Sequence, residues 1–470
     1  MDVWPSPLQL LCLAVTLIPP STPSSPSMHI LIVLIFVLGY LSIAFEHKIR
    51  INKAASALLI GVLCWLLYVT NLSSLIRPEV IPTWFTMEAE SEGITNIPLH
   101  FAIDAQHLHQ TGEIASILFF LMGAMTIVEL VDSHESFAII TDRIRTTDKR
   151  TLLWTVGVLT FFLSAALDNL TTTIVMVSLL RKLINDRKDR WRFVGMVVIA
   201  ANAGGAWTVI GDVTTTMLWI QHKVGTIEVM KELFVGSLVC LIVPLIGFSY
   251  SMPGKITVVE RHSHRQSDIQ PWHQWLFLLL GLTALLGVPM FKTLTHLPPY
   301  MGMMLSLSVL WVVSELVGHT LSEETRSTTG VLAALKRVDM SSILFFLGIL
   351  LAVGSLGATG ILQSTANWLD HVLPNRDVVA IVIGLVSSIF DNVPLVAAGI
   401  EMYDLPMNDP FWMLLAYCAG TGGSCLIIGS AAGVAAMGIE EIDFMWYLKH
   451  VSLWAVVGYL AGAVVVVAML

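Results

Sequence analysis

Three aspartates carry the chemical interest of this sequence. Asp168, Asp212 and Asp391 each interrupt a long apolar run, and two of them are followed by an amide, Asn169 and Asn392. A charged side chain in the middle of a bilayer costs roughly 2.5–3.5 kcal/mol on insertion scales, so an ionisable group there is read as functional by default. The competing reading is a structural polar link between helices. Carboxylate and amide oxygens suit a small hard cation. Burial and like-charged neighbours both disfavour an ionised carboxylate, which lets such a group hold either a proton or a cation. If both compete for the same carboxylates, and the empty site cannot reorient, one gradient drives the other.

Asp168, Asp212 and Asp391 are therefore the candidate cation ligands, with Asn169 and Asn392 beside them. Thr171 and Thr172 follow the first Asp-Asn pair and could add hydroxyl oxygens. The hydroxyls of Thr173 and Thr214 to Thr216 could coordinate a cation as well, but Thr commonly bonds its own helix in membranes, and only Thr171 and Thr172 lie closest to the tip. Asp212 could instead cap a helix. Glu129 lies near the end of an apolar run and is either a site residue or a group bending out to the interface.

These residues recur in a pattern. Ser116-Ile-Leu-Phe-Phe-Leu121 returns letter for letter as Ser342-Ile-Leu-Phe-Phe-Leu347, and the distance to the Asp-Asn pair is 52 residues in one case and 49 in the other. Gly204-Gly205 with Ile210-Gly211-Asp212 aligns with Gly422-Gly423 and Ile428-Gly429-Ser430 at a constant offset of 218. Each unit reads as a span, a hairpin with Asp-Asn at its tip, and a helix broken at a Gly pair. Glycine permits the unwinding, and unwound backbone at membrane depth is tolerated where it lines a polar cavity. Because Ser430 stands where the first unit has Asp212, the second unit is expected to be degenerate or to handle protons.

The elements that must hold these residues are membrane helices. The chain has 470 residues, 55% hydrophobic and 13% charged, with mean hydropathy +0.78, too little polar surface for a soluble globule of this size. Apolar runs near the length of a spanning helix fall at 29–46, 54–70, 114–131, 233–251, 274–290, 300–318, 341–361 and 446–470. Runs at 151–167, 169–180, 193–221 and 378–430 are interrupted by Asp, Asn, Gly or Pro.

Lys and Arg in short loops mark the cytoplasmic side. His47 to Lys53 is basic, Ser73 to Glu113 carries only Arg77, and the following loop carries Arg143, Arg145, Lys149 and Arg150. The segment 151–180 is flanked by basic loops at both ends and is too short for two crossings, so it reads as a re-entrant hairpin. The segment 378–402, with Arg376 alone nearby, reads as a second hairpin entering from the opposite side. Opposite loop charge around two similar hairpins is the mark of an inverted-topology repeat. The expected fold is all-α and membrane-integral, with two inverted-topology repeats, each holding a re-entrant hairpin and a broken helix. The expected organisation is 1–27, an apolar and Pro/Ser extension; 28–113, N-terminal spans and an external loop; 114–252, the first repeat; 253–340, a cytoplasmic loop and linking spans; and 341–470, the second repeat. Residues 1–27 lack the positive start of a secretion signal, and Met28 is an alternative start.

Net charge −9 leaves no basic stripe for nucleic acid. Cys12, Cys64, Cys240, Cys418 and Cys425 lack C-x-x-C spacing and read as packing residues. His107 and His109, outside, and His262, His264 and His273, in the long cytoplasmic loop, read as solvated loop residues, with pH sensing as the alternative.

The stretches Phe119-Phe-Leu-Met-Gly-Ala-Met-Thr-Ile-Val-Glu129, Asp168-Asn-Leu-Thr-Thr-Thr173, Gly211-Asp-Val-Thr-Thr-Thr216 and Asp391-Asn-Val-Pro394 resemble the NhaD-type sodium/proton antiporters of the ion-transporter superfamily. The resemblance covers roughly Ser116 to Gly438. It implies exchange of cytoplasmic Na⁺ or Li⁺ for external protons, with Na⁺ at Asp168, Asp212 and Asp391, and a role in pH homeostasis. It also implies a homodimer with a still scaffold and a moving transport portion, in a bacterial inner membrane or an organellar one. No cofactor beyond the transported ions is expected, and no enzymatic activity. An anion carrier of the arsenite or dicarboxylate type is the alternative on the same fold, although neither hairpin tip carries a basic residue. An intramembrane aspartyl protease would need two Asp sharing a proton, but Asp212 lacks the Gly-x-Gly-Asp pattern and the repeat would go unexplained.

Overall fold

The computed structural model describes residues 26–44, 46–76, 81–141, 144, 146–256, 269–373 and 375–470. The extension up to residue 25, Arg77, Arg143, Arg145, His262 and His264 lie outside the described residues. The helices used below are α1 (Pro26–Ala44), α2 (Lys53–Thr70), α3 (Leu108–Ser133), α4 (Lys149–Ala166), α5 (Asn169–Leu183), α6 (Arg187–Ala206), α7 (Val213–Ile220) and α8 (Thr226–Ser251). They continue with α9 (Pro271–Thr295), α10 (Pro299–Gly318), α11 (Met340–Ala358), α12 (Arg376–Val386), α13 (Asn392–Met402), α14 (Pro410–Gly422), α15 (Ala431–Glu440) and α16 (Ser452–Met469). Among the described residues, seven helical stretches are long and apolar enough to cross a membrane: Lys53–Thr70, Ile97–Ser133, Thr226–Ser251, Pro271–Thr295, Pro299–Gly318, Met340–Ala358 and Ser452–Met469. The expected first span is the shorter apolar stretch Met28–Ile43 within α1.

The chain divides into two compact units. The first comprises the described part of Met1–Leu118, with Asp339–Arg376 and Ala397–Asp404. Here α2 and α11 touch backbone to backbone. A Cβ on Gly61 would fall on the Gly348 carbonyl, and one on Gly348 on the Ala57 backbone. Small residues allow this approach in membrane helices. Trp65 Nε1 donates to Leu351 O at 2.9 Å, and buried Tyr68 donates to Gln106 Oε1 at 2.7 Å.

The stretch expected as an external loop, Ser73 to Glu113, is instead largely helical. It holds Thr83–Ser91, Ile97–His100 and a π-helical turn Phe101–His107 that runs directly into α3. Asn96 caps Ile97–His100, with Pro98 in the first turn. His107 and His109 thus sit on helices. Polar residues such as Gln106 and Gln110 hide this from a hydropathy reading, but Tyr68 bonds the first and Glu401 lies 3.4 Å from the second.

The second unit comprises Phe119–Val338, Asp377–Val396 and Leu405–Leu470. Two of its helices are enclosed on all sides: every residue from Phe193 to Ala206 in α6 and from Phe411 to Gly422 in α14 is buried. A helix apolar all round belongs in such a position. Around them α8 and α16 pack through Gly236, Gly458 and Gly462.

Helix starts are set by side-chain caps. Asp148, Asp168, Asp186, Asp212, Asp409 and Ser430 each accept a backbone N–H from the first turn of α4, α5, α6, α7, α14 and α15. The far end of α7 is held by Lys292, whose Nζ donates to Trp219 O at 2.9 Å and lies 4.5 Å from the Trp219 ring centroid. His273 departs from expectation: it lies in the first turn of α9, buried at 2% exposure, and completes a capping box with Gln270.

The interrupted runs meet helix breaks at 167–168, 207–212, 387–391 and 423–430. The helices end at the glycine pairs, as expected, and the pairs also let neighbouring backbone come close. Gly204 and Gly205 lie inside the last turn of α6, and neither they nor Gly422 and Gly423 have positive φ. They permit close approach. A Cβ on Gly204 would meet the Phe161 carbonyl, and one on Gly422 the Gly384 carbonyl.

Candidate functional site

The breaks bring a continuous polar chain into the apolar interior of the second unit. Asp168 caps α5: its Oδ1 accepts from Thr171 N at 2.8 Å and its Oδ2 from Thr171 Oγ1 at 2.7 Å. Asn169, the next residue, is buried and aims its Nδ2 at two acceptors, Asp212 Oδ2 at 2.8 Å and Asn202 Oδ1 at 3.0 Å. Asn202 Nδ2 in turn donates to Ser430 Oγ at 3.0 Å. Asp212, 1% exposed, caps α7 with one oxygen while the other receives Asn169: its Oδ1 takes Thr214 N at 2.8 Å and Thr214 Oγ1 at 2.6 Å.

In the other break, Asp391 Oδ1 accepts from Val393 N at 3.2 Å, and Asn392 is buried next to it. Asp212 is within electrostatic range of both Asp391 and Asp168. Among the described residues, no three His, Cys, Asp or Glu side chains come together to hold a metal ion. A cation held here would therefore need amide, hydroxyl or backbone oxygens as well as carboxylates.

Several contacts recur at matching positions of the two halves. Ser164 Oγ donates to Ala201 O, and Ser387 Oγ to Ala419 O. Gly204 abuts Phe161 as Gly422 abuts Gly384, and Gly211 abuts Ser164 as Gly429 abuts Ser387. Gly205 lies against Gly211, and Gly423 against Gly429. One offset relates Phe161, Ser164 and Asp168 to Gly384, Ser387 and Asp391, and the offset of 218 relates Ala201, Gly204 and Gly211 to their partners. By that second offset Asn202 corresponds to Gly420 and Asp212 to Ser430. The first half thus holds an amide and a carboxylate where the second holds neither. A Cβ on Gly420 would lie 3.6 Å from Asp212 Oδ2.

The remaining candidates fall in three places. Thr172 is fully buried, and among the described residues its hydroxyl and that of Thr173 have no hydrogen-bond partner. Glu129 lies outside the chain of bonds: its Oε2 sits 3.0 Å from Arg337 Nε, both side chains are partly exposed, and it remains within electrostatic range of Asp168. Gly211 and Gly429 line the breaks themselves.

Sequence patterns do not single out Asn202 or the bonded role of Ser430. The available signal is that Asn202 is the single amide in the buried run Phe193 to Ala206. His134 is equally inconspicuous. It is 1% exposed, stacked on Phe277 with ring centroids 3.5 Å apart, and bonded through Nδ1 to Leu130 O. Burial pushes its imidazole down to about 4.

Long apolar helices around a buried chain of carboxylate, amide and hydroxyl groups define a multi-pass membrane transporter. Comparisons with known proteins agree. A family profile described as citrate transporter (CitMHS) matches residues 30–404. Sodium/proton antiporter 1 of Arabidopsis thaliana is 48% identical, over 91% of this chain and 70% of its own length. Sodium/proton antiporter 2 of the same plant is 43% identical, over 91% and 97%. The Na⁺/H⁺ antiporter NhaD of Alkalimonas amylolytica is 30% identical, over 92% and 88%. The chain belongs to the NhaD-type sodium/proton antiporter family, within the wider group that the citrate transporter profile describes.

Proposed function

We propose that this protein exchanges Na⁺ or Li⁺ for protons at Asp168, Asp212 and Asp391, with Asn169, Asn202, Thr171, Thr172 and Ser430 as supporting groups. The observation that carries this reading is the buried chain from Asp212 through Asn169 and Asn202 to Ser430. In its present form Asn169 offers an N–H to each acceptor. Rotating the Asn169 amide turns a carbonyl oxygen to the place where its nitrogen now meets Asp212, so the group that satisfies the carboxylate in one state becomes a cation ligand in the other. Proton and cation then compete for the same carboxylates.

The repeated contacts support an inverted-topology repeat, and Gly420 and Ser430 make its second half the degenerate one. Helices α12 and α13, with 11 residues each, are about 16 Å long against a hydrocarbon core of about 30 Å, which supports a hairpin that dips and returns. At 18 residues, α4 is about 27 Å long, so the first hairpin reaches deeper. The division into an N-terminal region, two repeats and linking spans, a homodimer with a moving transport portion, and a place in a bacterial inner or an organellar membrane complete the proposal.

The citrate transporter profile keeps an anion carrier in view, because the N-terminal ends of α5, α7 and α15 point into the breaks and helix N-termini attract anions. Two of those ends are already occupied by the carboxylates of Asp168 and Asp212. Proton flux in everted vesicles on adding Na⁺, Li⁺ or K⁺ tests the proposal. Cation-driven flux lost in Asp168→Asn, Asp212→Asn and Asp391→Asn is expected; uptake of citrate or arsenite without cation-driven flux would overturn it.

A further inference from the structure

Three helices meet twice. At membrane depth α5, α6 and α15 are tied through Asn169, Asn202 and the Ser430 cap. At their other ends the same three helices meet again around Glu440. The side chain of Glu440 is 1% exposed; its Oε2 lies 2.6 Å from Arg190 Nε and its Oε1 3.2 Å from Arg181 Nε. Trp191 Nε1 donates to the Glu440 carbonyl at 3.0 Å, and Arg187 reaches Glu441 at 3.0 Å. Arg190 is fixed from behind, its Nη1 donating to Ile184 O at 2.9 Å.

The spacing makes this second junction relevant to the first. Arg181 lies 12 positions beyond Asn169 on α5, Arg190 12 before Asn202 on α6, and Glu440 ten after Ser430 on α15. At 1.5 Å per residue the junctions are separated by about 15–18 Å of straight helix. α5 and α6 come from the first half of the chain and α15 from the second, so the clamp ties the halves together at the basic, cytoplasmic end. A rigid helix held at one end transmits that position to the other.

We propose that the Arg181–Glu440–Arg190 clamp is a positioning device for the site. It holds α15 against α5 and α6 so that the Ser430 hydroxyl meets Asn202, and it thereby sets cation affinity without touching the cation. Glu440 is accordingly a positioning residue, and the proposal rests on the antiport reading given above. The clamp must loosen for α15 to part from its neighbours and open the site to the cytoplasm.

The test uses the full chain in proteoliposomes, with Na⁺-driven and Li⁺-driven proton flux measured against cation concentration and pH. Glu440→Gln is expected to raise the half-saturating Na⁺ concentration between about twofold and thirtyfold, the range for residues that couple through a scaffold, while maximal flux persists. Glu440→Asp, which keeps a carboxylate between the two arginines, raises that concentration less than Glu440→Gln. If Glu440→Gln does not fold, Arg181→Gln, which leaves Arg190 in place, shows a smaller rise. Unchanged half-saturation in the folded variants, or a fall in maximal flux alone, overturns the clamp. Absence of cation-driven flux in the wild type overturns the antiport reading and the clamp proposal with it.

Discussion

Asn169 and Asp212, 43 positions apart in the chain, are joined at 2.8 Å in a buried hydrogen bond that links the break after α4 to the break after α6. Its donor is a neutral amide and its acceptor an acid that also caps α7. The cap and the site can be separated by substitution.

Asp212→Ser keeps a capping oxygen and reproduces the residue found at the matching position, Ser430. The protein is expected to fold with little change in melting temperature while cation-driven flux falls at least about a hundredfold. Asp212→Ala should lose flux equally and also about 1 kcal/mol of stability. Thermal unfolding in detergent together with vesicle flux separates the two effects; retained flux in Asp212→Ser would remove Asp212 from the site.

Gly204→Ala and Gly422→Ala each place a methyl on a backbone carbonyl that cannot give way. Each is expected to cost roughly 1–3 kcal/mol, read as a lower melting temperature and lower yield. Gly438, inside α15, has nothing within 4 Å of its Cβ position. Gly438→Ala should be neutral or stabilising by up to about 1 kcal/mol.

Asn202→Ala and Ser430→Ala remove the two ends of one bond. A double-mutant cycle on half-saturating Na⁺ should give a coupling of about 0.5–3 kcal/mol. Additive effects would mean that the bond between them does not matter to transport.

His134 lies beyond the end of α3, with an imidazole that burial holds down to about 4, below the usual value near 6.5 in an unfolded chain. The unfolded state binds the extra proton between these values, so this contribution is complete above pH 6.5 and is lost as pH falls toward 4. The swing is roughly 3 kcal/mol at most. His134→Asn, which can keep the bond to Leu130 O, should flatten the acid limb of stability against pH and leave the flux profile between pH 7 and 8 unchanged.

Much of the candidate site is legible in the sequence because cost is legible. Asp168, Asp212 and Asp391 are conspicuous in apolar runs, and the two Asp-Asn pairs announce each other by spacing. Asn202 is not, because a lone amide in a helix is unremarkable until its partner is known, and Ser430 is 228 positions away. The glycine pairs stand out but read as backbone freedom, since sequence cannot tell a residue that must bend from one that must let a neighbour in. The helices ahead of α3 are hidden by polar side chains whose partners come from distant segments, and His273 by its place at the edge of a long loop.

The complete enclosure of Phe193–Ala206 and Phe411–Gly422 has a practical corollary. A cysteine introduced on either stretch is out of reach of water-soluble and lipid-soluble thiol reagents alike while the protein rests in this state. Any labelling there counts excursions to another state, and its dependence on Na⁺ and pH would time the transport cycle from inside the protein.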